Sequence, residues 1–488
     1  MDKRLLARCE SEALHLSAAI QPHGTLLVVA ADGSVSHVAD NIHRFLGTPP
    51  ESWLGQPLPP ALAALTAEAG LVASSRHLFY ERVAGVHGPL DALVSRGKDG
   101  ECVLELVPHV AEHSTQQRVN PPVPVTVVDE GALSSARQRL VEEVAELTGF
   151  QRIMFYLFRE DGDGEVVAEA RQGGGYGSYL GLRFPASDIP QIARALYLKN
   201  PWRMIPNASA PSVTVLSRDG TPPDLTWSDM RSVSPVHAVY LGNMGVAASL
   251  SFPVAVNGIL TALVAAHHSE PSYLSLGALE RVAACVRAHV FAFVGYQSQR
   301  RMRFIDSLPY RFAPVEEIVR RHGDLHSCWP ELANWLQNEF RVDGAVLCIG
   351  EETLVSDLAL TGRALEAVDD WFCLHQNEFV ATTDCLSRQL SAFPLSEVAG
   401  VMALRLRGRK GDRGMRLYLT RSEHVHDVAW GGHPDKPVEL HDGSLGIAPR
   451  RSFEKWIEKR LGYSRPWDNE VRLLALKLRD VLQQENCV

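Results

Sequence analysis

Apolar and polar residues change rhythm several times along the chain, and each change marks an element. Residues Thr25–Ala30 and Ser34–Val38 read as strands around Asp32-Gly33, a hairpin signal. A short helix is predicted near Asn41–Leu46, and a further strand pair brackets Lys98-Asp99-Gly100 and ends in Cys102–Val107. Residues 1–24 are turn-rich. After a polar, proline-rich stretch at 113–129, read as a linker, helical spacing appears at Ala132–Leu147. Strands are expected at Arg152–Phe158 and Glu165–Ala170, then at Ser249–Val256 and Ile259–His267 around Asn257-Gly258. Pro253 inside the third of these demands an edge or a bulge, because it has no amide to give the ladder. Leu276, Leu279, Val282, Val286, Val290 and Val294 recur at helical spacing and predict one long helix over 276–304. A last stripe, Val471, Leu474, Leu478 and Leu482, predicts a helix over Trp467–Gln484. That stripe either packs on its own domain or pairs across a dimer.

Short strands with small helices between them make an α+β chain. At 488 residues about three domains are expected. Their bounds are read as 1–115, 116–304 with its connecting helix, and 305–488, the last carrying a long excursion of weak periodicity at 424–456. Composition adds little, since 45% hydrophobic and 22% charged residues describe an ordinary globular protein. A formal net charge of -9 speaks against nucleic acid as a partner. The N-terminus lacks a secretory apolar run, and no stretch reaches the ~18 apolar residues of a membrane span. A cytoplasmic protein without a membrane partner is therefore expected. The eight cysteines are scattered with no CxxC pair, so reduced thiols are expected rather than zinc ligands or disulfides.

The chemistry concentrates in Arg231–Gly245. Ser234-Pro235 reads as a helix start, with the hydroxyl capping a free amide. On that helix His237, Tyr240 and Met244 share a face. Arg231 and Ser234 stand at its N-terminal end, where backbone amides favour an anion. Such a face suits a large, partly aromatic ligand with acidic arms. The glycine-rich stretch 172–178 is read as a flexible turn, because no Gly-Lys-Ser/Thr follows it.

Four motifs, in order and in separate domains, resemble those of bacterial phytochromes, red/far-red photoreceptors that bind biliverdin. They are Cys9 with Ile20-Gln-Pro-His-Gly24; Phe184-Pro-Ala-Ser-Asp-Ile-Pro190; the helix from Ser234 with Ala266-His-His268; and Trp430-Gly-Gly432 with Pro449-Arg-Arg-Ser-Phe453. The resemblance covers nearly the whole chain and implies tandem PAS, GAF and PHY domains. It implies that Cys9 attaches biliverdin IXα through a thioether. Val236 stands where plant and many cyanobacterial members carry that cysteine. It implies further that the main-chain oxygen of Asp188 accepts from the pigment nitrogens, with Ile189 and Pro190 shaping that turn. Arg203 and Arg231 would bind the propionates, assisted by Ser234, Tyr197, Ser249 and Ser251. His237 would lie against the ring nitrogens and His267 would bond the terminal ring's carbonyl. Tyr156, Phe184 and Tyr240 would line the space in which that ring turns. Light would isomerise the adjoining double bond. Arg450, paired with Asp188 in one state, would then release it, Ser452 would take over, and residues 424–456 would refold from hairpin towards helix.

Gly242, Thr261-Ala262 and Pro201-Trp202 depart from the family pattern. No histidine-kinase phosphoacceptor box or ATP-binding glycine motif is found. The expected protein is thus a photosensor without enzymatic activity, homodimeric, acting on a downstream kinase or response regulator. Two other classes stay open: a PAS/GAF sensor of a soluble small molecule without chromophore, and a dimerisation scaffold.

Overall fold

The computed structural model describes residues 13–70, 72, 75–97, 100–111, 126–173, 177–358, 360–375, 377–390, 393, 397–407, 414–434 and 453–484. Cys9, Arg450 and Ser452 lie outside the described residues. The chain divides into two compact units, Met1–Tyr296 with Ala429–Trp456, and Gln297–Val428 with Ile457–Val488.

The first unit holds two sheets. One runs in the order Ala19–Ile20, Val213–Ser217, Val35–Ala39, Thr25–Val29, Cys102–Pro108, Gly88–Arg96 and Arg76–Gly85, antiparallel throughout. Several elements of this part of the chain escaped the sequence reading. Helix Pro60–Glu68 is alanine-rich and carries no one-sided stripe, and Arg76–Gly85 mixes exposed and buried positions around a register shift. The strand Val213–Ser217, a segment from the middle of the chain, pairs with Ala19–Ile20 and Val35–Ala39 and completes the first sheet.

The second sheet begins Arg203–Ile205, Ala248–Val256, Ile259–His268, Arg152–Phe158, Gly164–Arg171 and Arg183–Phe184. The hairpin at Asn257-Gly258 has φ of 51° and 77°, the two left-handed residues of a tight two-residue turn. Pro253 pairs with Leu263 on one side, whereas on the other side Arg203–Ile205 pairs only with Ser249–Ser251. The proline therefore stands at an edge, next to a register shift at Val254/Ala255. Helix Glu130–Thr148 starts on the Asp129 carboxylate, which accepts the Ala132 amide at 2.7 Å, and ends at Gly149 with φ 68°. Its Leu140, Val141 and Val144 pack with Ile153, Phe155 and Val264 of the sheet and with Leu279, Val282 and Val286 of the long helix. Each such side chain contributes about 1.5–3 kcal/mol by leaving water.

That long helix runs from Leu276 to His322. The expected end near residue 304 is corrected: the helix continues to His322. Pro309 and Pro314 lie within it, at about 3 kcal/mol each in an isolated helix. Packing overrides this local preference, since Phe304, Phe312, Val315 and Val319 belong to the core of the second unit.

In that unit an antiparallel sheet runs Glu352–Asp357, Gly344–Ile349, Met415–Ser422, Val398–Arg407 and Val380–Thr383. Strand alternation supplies both faces. Leu347, Leu404 and Leu417 pack with helices Leu325–Phe340 and Asn469–Gln484, while Val346, Ala403 and Tyr418 pack with Trp371 and Phe372. Leu474, Leu478 and Leu482 are buried in this core with Val471 packed against it, so the final stripe serves its own domain. Just before that helix, Arg421 lies 3.8 Å over the Trp467 ring and donates to the carbonyls of Phe340, Arg465 and Pro466 at 2.8–3.2 Å. Of the excursion, residues 424–434 and 453–456 are described; His426–Gly431 is a strand, and Lys455–Arg460, which begins at the excursion's end, neighbours it in the sheet. No helix among the described residues is long and apolar enough to cross a membrane.

Candidate functional site

A cavity of about 230 Å³ opens in the first unit between the second sheet and the helix Pro235–Asn243. Strand registry explains its floor. Cross-strand partners share a face, and the two-residue period keeps alternate residues on it. The rung Arg203–Ser251–Ala265–Met154 lies beside Ile205–Ser249–His267–Arg152, and Leu263 faces Tyr156. Except for Arg152, these residues line the cavity. The roof is the helix face. His237 and Tyr240 stack at 6.0 Å with planes 15° apart, Met244 follows, and Phe453 meets Tyr240 edge-on at 5.1 Å. Ser234 holds the N-cap position with Pro235 next, as expected, but its hydroxyl makes no capping bond.

One wall is the turn at Ala186–Asp188. Here the backbone leaves Asp188 through Ile189, extended at φ −127°, to Pro190, which is the N-cap of helix Gln191–Tyr197. The N-cap position of that helix is Pro190, not Asp188. The Asp188 carboxylate serves another partner. It accepts the Tyr240 hydroxyl at 3.2 Å. Arg194, unnoticed in the sequence, clamps the turn by donating to the carbonyls of Ile189, Gly162 and Ala186 at 2.8, 2.7 and 3.3 Å. The opposite wall is cationic. Arg203 donates to the carbonyls of Asp229, Arg231 and Ser232 at 2.8, 2.5 and 3.0 Å. Arg231 donates to those of Leu225 and Ser228. Burial, and then the neighbouring Arg231, bring the Arg203 guanidinium down to about 9. Tyr197 stands close to both arginines and lines the same wall.

The sequence candidates Tyr156, Phe184, Asp188, Ile189, Pro190, Tyr197, Arg203, Arg231, Ser234, His237, Tyr240, Ser249, Ser251 and His267 thus all line one cavity. Lining residues the sequence reading missed include Met154, Tyr179, Trp202, Leu263 and Ala265. Strand alternation was the available signal for Met154, two residues from Tyr156, and for Ala265 and Leu263, two and four residues from His267. Tyr179, against Phe184 at 5.6 Å and under the Arg152 guanidinium at 3.9 Å, sits on a loop and carries no such signal.

Burial keeps the imidazoles neutral. His237 is lowered to about 4 by burial and by Arg203, and His267 to about 3 by burial, Arg152 and His237. His267 is 7% exposed, and its Nδ1 has no hydrogen-bond partner among the described residues. An imidazole that lines a cavity and keeps an unpartnered buried nitrogen fits a ligand that brings a hydrogen-bonding group. Two glycines admit the aromatics. A Cβ on Gly164 would lie 1.9–2.1 Å from the Tyr156 ring, and one on Gly431 would lie 2.6 Å from the Phe184 ring. The second explains one glycine of the Trp-Gly-Gly motif, whose Trp430 bridges in parallel to Arg183. Gly164→Ala is expected to displace Tyr156 and destabilise the first unit by about 1–3 kcal/mol, measured by urea denaturation. An unchanged denaturation midpoint would refute that packing.

Fold and site define a tandem sensor-domain protein whose middle domain carries the cavity. Residues 9–109 match the PAS fold, 132–288 the GAF domain and 316–486 the phytochrome region. Cyanobacterial phytochrome B of Nostoc sp. is 29% identical across 98% of this chain and 66% of its own length. The bacteriophytochrome of Pseudomonas aeruginosa is 29% identical across 97% of this chain and 66% of its own. The crystal structure of a bacteriophytochrome from the photosynthetic bacterium R. palustris superposes with a TM-score of 0.80 at 26% identity, covering 98% of this chain and 99% of that one. The phytochrome photosensory core module of Stigmatella aurantiaca gives 0.80 at 29% identity, covering 98% and 97%. The chain belongs to the phytochrome family, with PAS, GAF and PHY domains in that order. It spans about two thirds of the length of these curated relatives.

Proposed function

We propose that this chain is the light-sensing part of a red/far-red photoreceptor and that its middle domain holds biliverdin IXα. The observation that carries the reading is the cavity itself. Aromatic faces, two arginines and an imidazole with an unpartnered nitrogen converge on one space, as an apolar pigment with two carboxylate arms requires. When bound, the bilin supplies light absorption and a double bond that light can isomerise. The protein's part is to hold it. Arg203 and Arg231 take the propionates, with Tyr197, Ser234, Ser249 and Ser251 donating hydroxyls. The main-chain oxygen of Asp188, on the turn shaped by Ile189 and Pro190, accepts from the pigment nitrogens, and His237 governs their protons. His267 donates to the terminal carbonyl, while Tyr156, Phe184 and Tyr240 leave room for that ring.

Attachment is assigned to Cys9, whose sulfur adds to one carbon of a vinyl group while the thiol proton goes to the other, without redox change or enzyme. The six described cysteines are buried, and none lines the cavity. Burial pushes Cys102 and Cys348 up to about 11 and Cys285 to about 12, away from the nucleophilic thiolate. Leu14 lines the cavity, and five residues of chain reach at most about 18 Å. Signalling is assigned to exchange of the Asp188 partner between Arg450 and Ser452, refolding of 424–456, and movement of the long helices. The protein is proposed to act as a cytoplasmic homodimer, on a kinase or response regulator.

Co-expression with a source of biliverdin is expected to yield coloured protein whose red absorption band falls under red light and returns under far-red light. A zinc-fluorescent band on a denaturing gel is expected, and Cys9→Ala should abolish it. Colourless protein, or colour indifferent to illumination, would overturn the reading. A sensor of a soluble, uncoloured ligand predicts the former.

A further inference from the structure

We propose that Glu105, in the first sheet, is the positioning residue that sets the two cavity arginines for a carboxylate-bearing ligand. The inference rests on the reading of the cavity given above. Glu105 stands mid-strand in Cys102–Pro108 and is 1% exposed. A carboxylate buried there costs several kcal/mol unless hydrogen bonds offset it. Among the described residues, Ser228, Asp229 and Met230, one three-residue stretch of the neighbouring domain, donate to it. Oε1 accepts the Ser228 hydroxyl at 2.5 Å and the Met230 amide at 2.9 Å, and Oε2 accepts the Asp229 amide at 3.2 Å.

Both cavity arginines hang on that stretch. Arg203 donates to the Asp229 carbonyl and Arg231 to the Ser228 carbonyl. Arg231 is itself the residue after Met230. A second contact from the first sheet braces the same stretch. Arg76 forms a two-pronged ion pair with the Asp229 carboxylate, and its guanidinium lies 4.5 Å from the ring of Trp202, a cavity residue. Displacing Ser228–Met230 by a fraction of an ångström would therefore re-aim both guanidiniums. The carbonyls of Arg231 and Ser232, which also hold Arg203, continue the same stretch. Burial and the Asp229 charge raise the Glu105 carboxyl, while the bonds from Ser228 and Met230 and the charge of Arg76 lower it.

Glu105→Gln keeps the shape but turns an NH2 towards N–H donors, so the stretch must shift. The test compares biliverdin with its dimethyl ester, whose arms carry no charge, in a Cys9→Ala background that keeps binding reversible. Dissociation constants come from quenching of tryptophan fluorescence. The parent is expected to prefer the free acid about tenfold or more, as one charge-assisted hydrogen bond implies. E105Q is expected to reduce that preference to about threefold or less while binding the ester within about twofold of the parent. A merely structural Glu105 would weaken both ligands equally and leave the ratio intact, which would overturn the inference. Circular dichroism reports folding. If E105Q does not fold, Ser228→Ala keeps the carboxylate and removes one donor, and it should lower the ratio at least about twofold. An unchanged ratio there overturns the inference as well. A parent that binds neither ligand, or both equally, overturns the reading of the cavity and this inference with it.

Discussion

Replacing Arg203 with alanine is expected to weaken reversible biliverdin binding about a hundredfold. The Arg203 side chain is half-buried, and desolvation together with Arg231 makes its charge costly in the ligand-free protein. A desolvated cation beside a second cation gains most from an arriving anion, because the carboxylate meets little competing water. A hydrogen bond to a charged group is worth about 1.5–3 kcal/mol, and a guanidinium presents two in parallel. Losing one such contact with partial compensation from Arg231 gives about 2–3 kcal/mol, hence the hundredfold figure. The same substitution removes the donors that serve the carbonyls of Asp229, Arg231 and Ser232. The ligand-free protein should therefore also lose about 1–3 kcal/mol of stability. Arg203→Lys keeps the charge but not the planar fork, and should recover only part of both losses. Titration and urea denaturation of the two variants separate these effects. If R203A binds biliverdin as the parent does, the arginine does not face the propionates.

How much of this was legible in the residues depended on whether local chemistry or distant packing decided each feature. Asn257-Gly258 demanded left-handed backbone, and the hairpin follows. Arg152–Phe158 has the bounds its apolar run predicts. The long helix failed at its end because Pro309 and Pro314 are local stop signals, while the reason to continue is that Phe312 and Val315 share one core with residues as far along the chain as Leu482. Strand Val213–Ser217 was invisible for a similar reason: it completes a sheet built from residues 19–108.

The site was more legible than the fold, through its motifs and the shared face of His237 and Tyr240. What stayed hidden was support. Arg194 holds the Asp188 turn through main-chain carbonyls, and Glu105 holds the arginine loop through main-chain amides. Bonds to backbone leave no pattern in side-chain identity, so no spacing announces them. Ser234 shows the converse, a residue of the right type at the N-cap position whose hydroxyl does not cap.

Acid should unfold the ligand-free protein sooner than its surface charge alone requires. His23, His237 and His289 are lowered to about 4 and His267 to about 3, with burial the first cause in each. Their folded values lie below the unfolded value of about 6.5, so between the two the unfolded chain binds more protons. The stability they allow is complete above pH 6.5 and declines as pH falls towards 4. Glu105 runs the other way: its raised carboxyl favours the folded state at low pH, and that advantage fades as pH rises. Four groups against one leave a net slope of about 2–4 kcal/mol per pH unit near pH 5. The lowered carboxyls of Asp32 and Asp219 act below this window. Urea midpoints at pH 7, 5.5 and 4.5 measure the slope. Arg203 is the second cause for both His23 and His237. R203A should consequently flatten the acid limb without abolishing it, because burial, the larger cause, remains. Equal midpoints across that range in the parent protein would mean that these imidazoles are not held neutral by the fold, and the cationic wall would lose its influence on them.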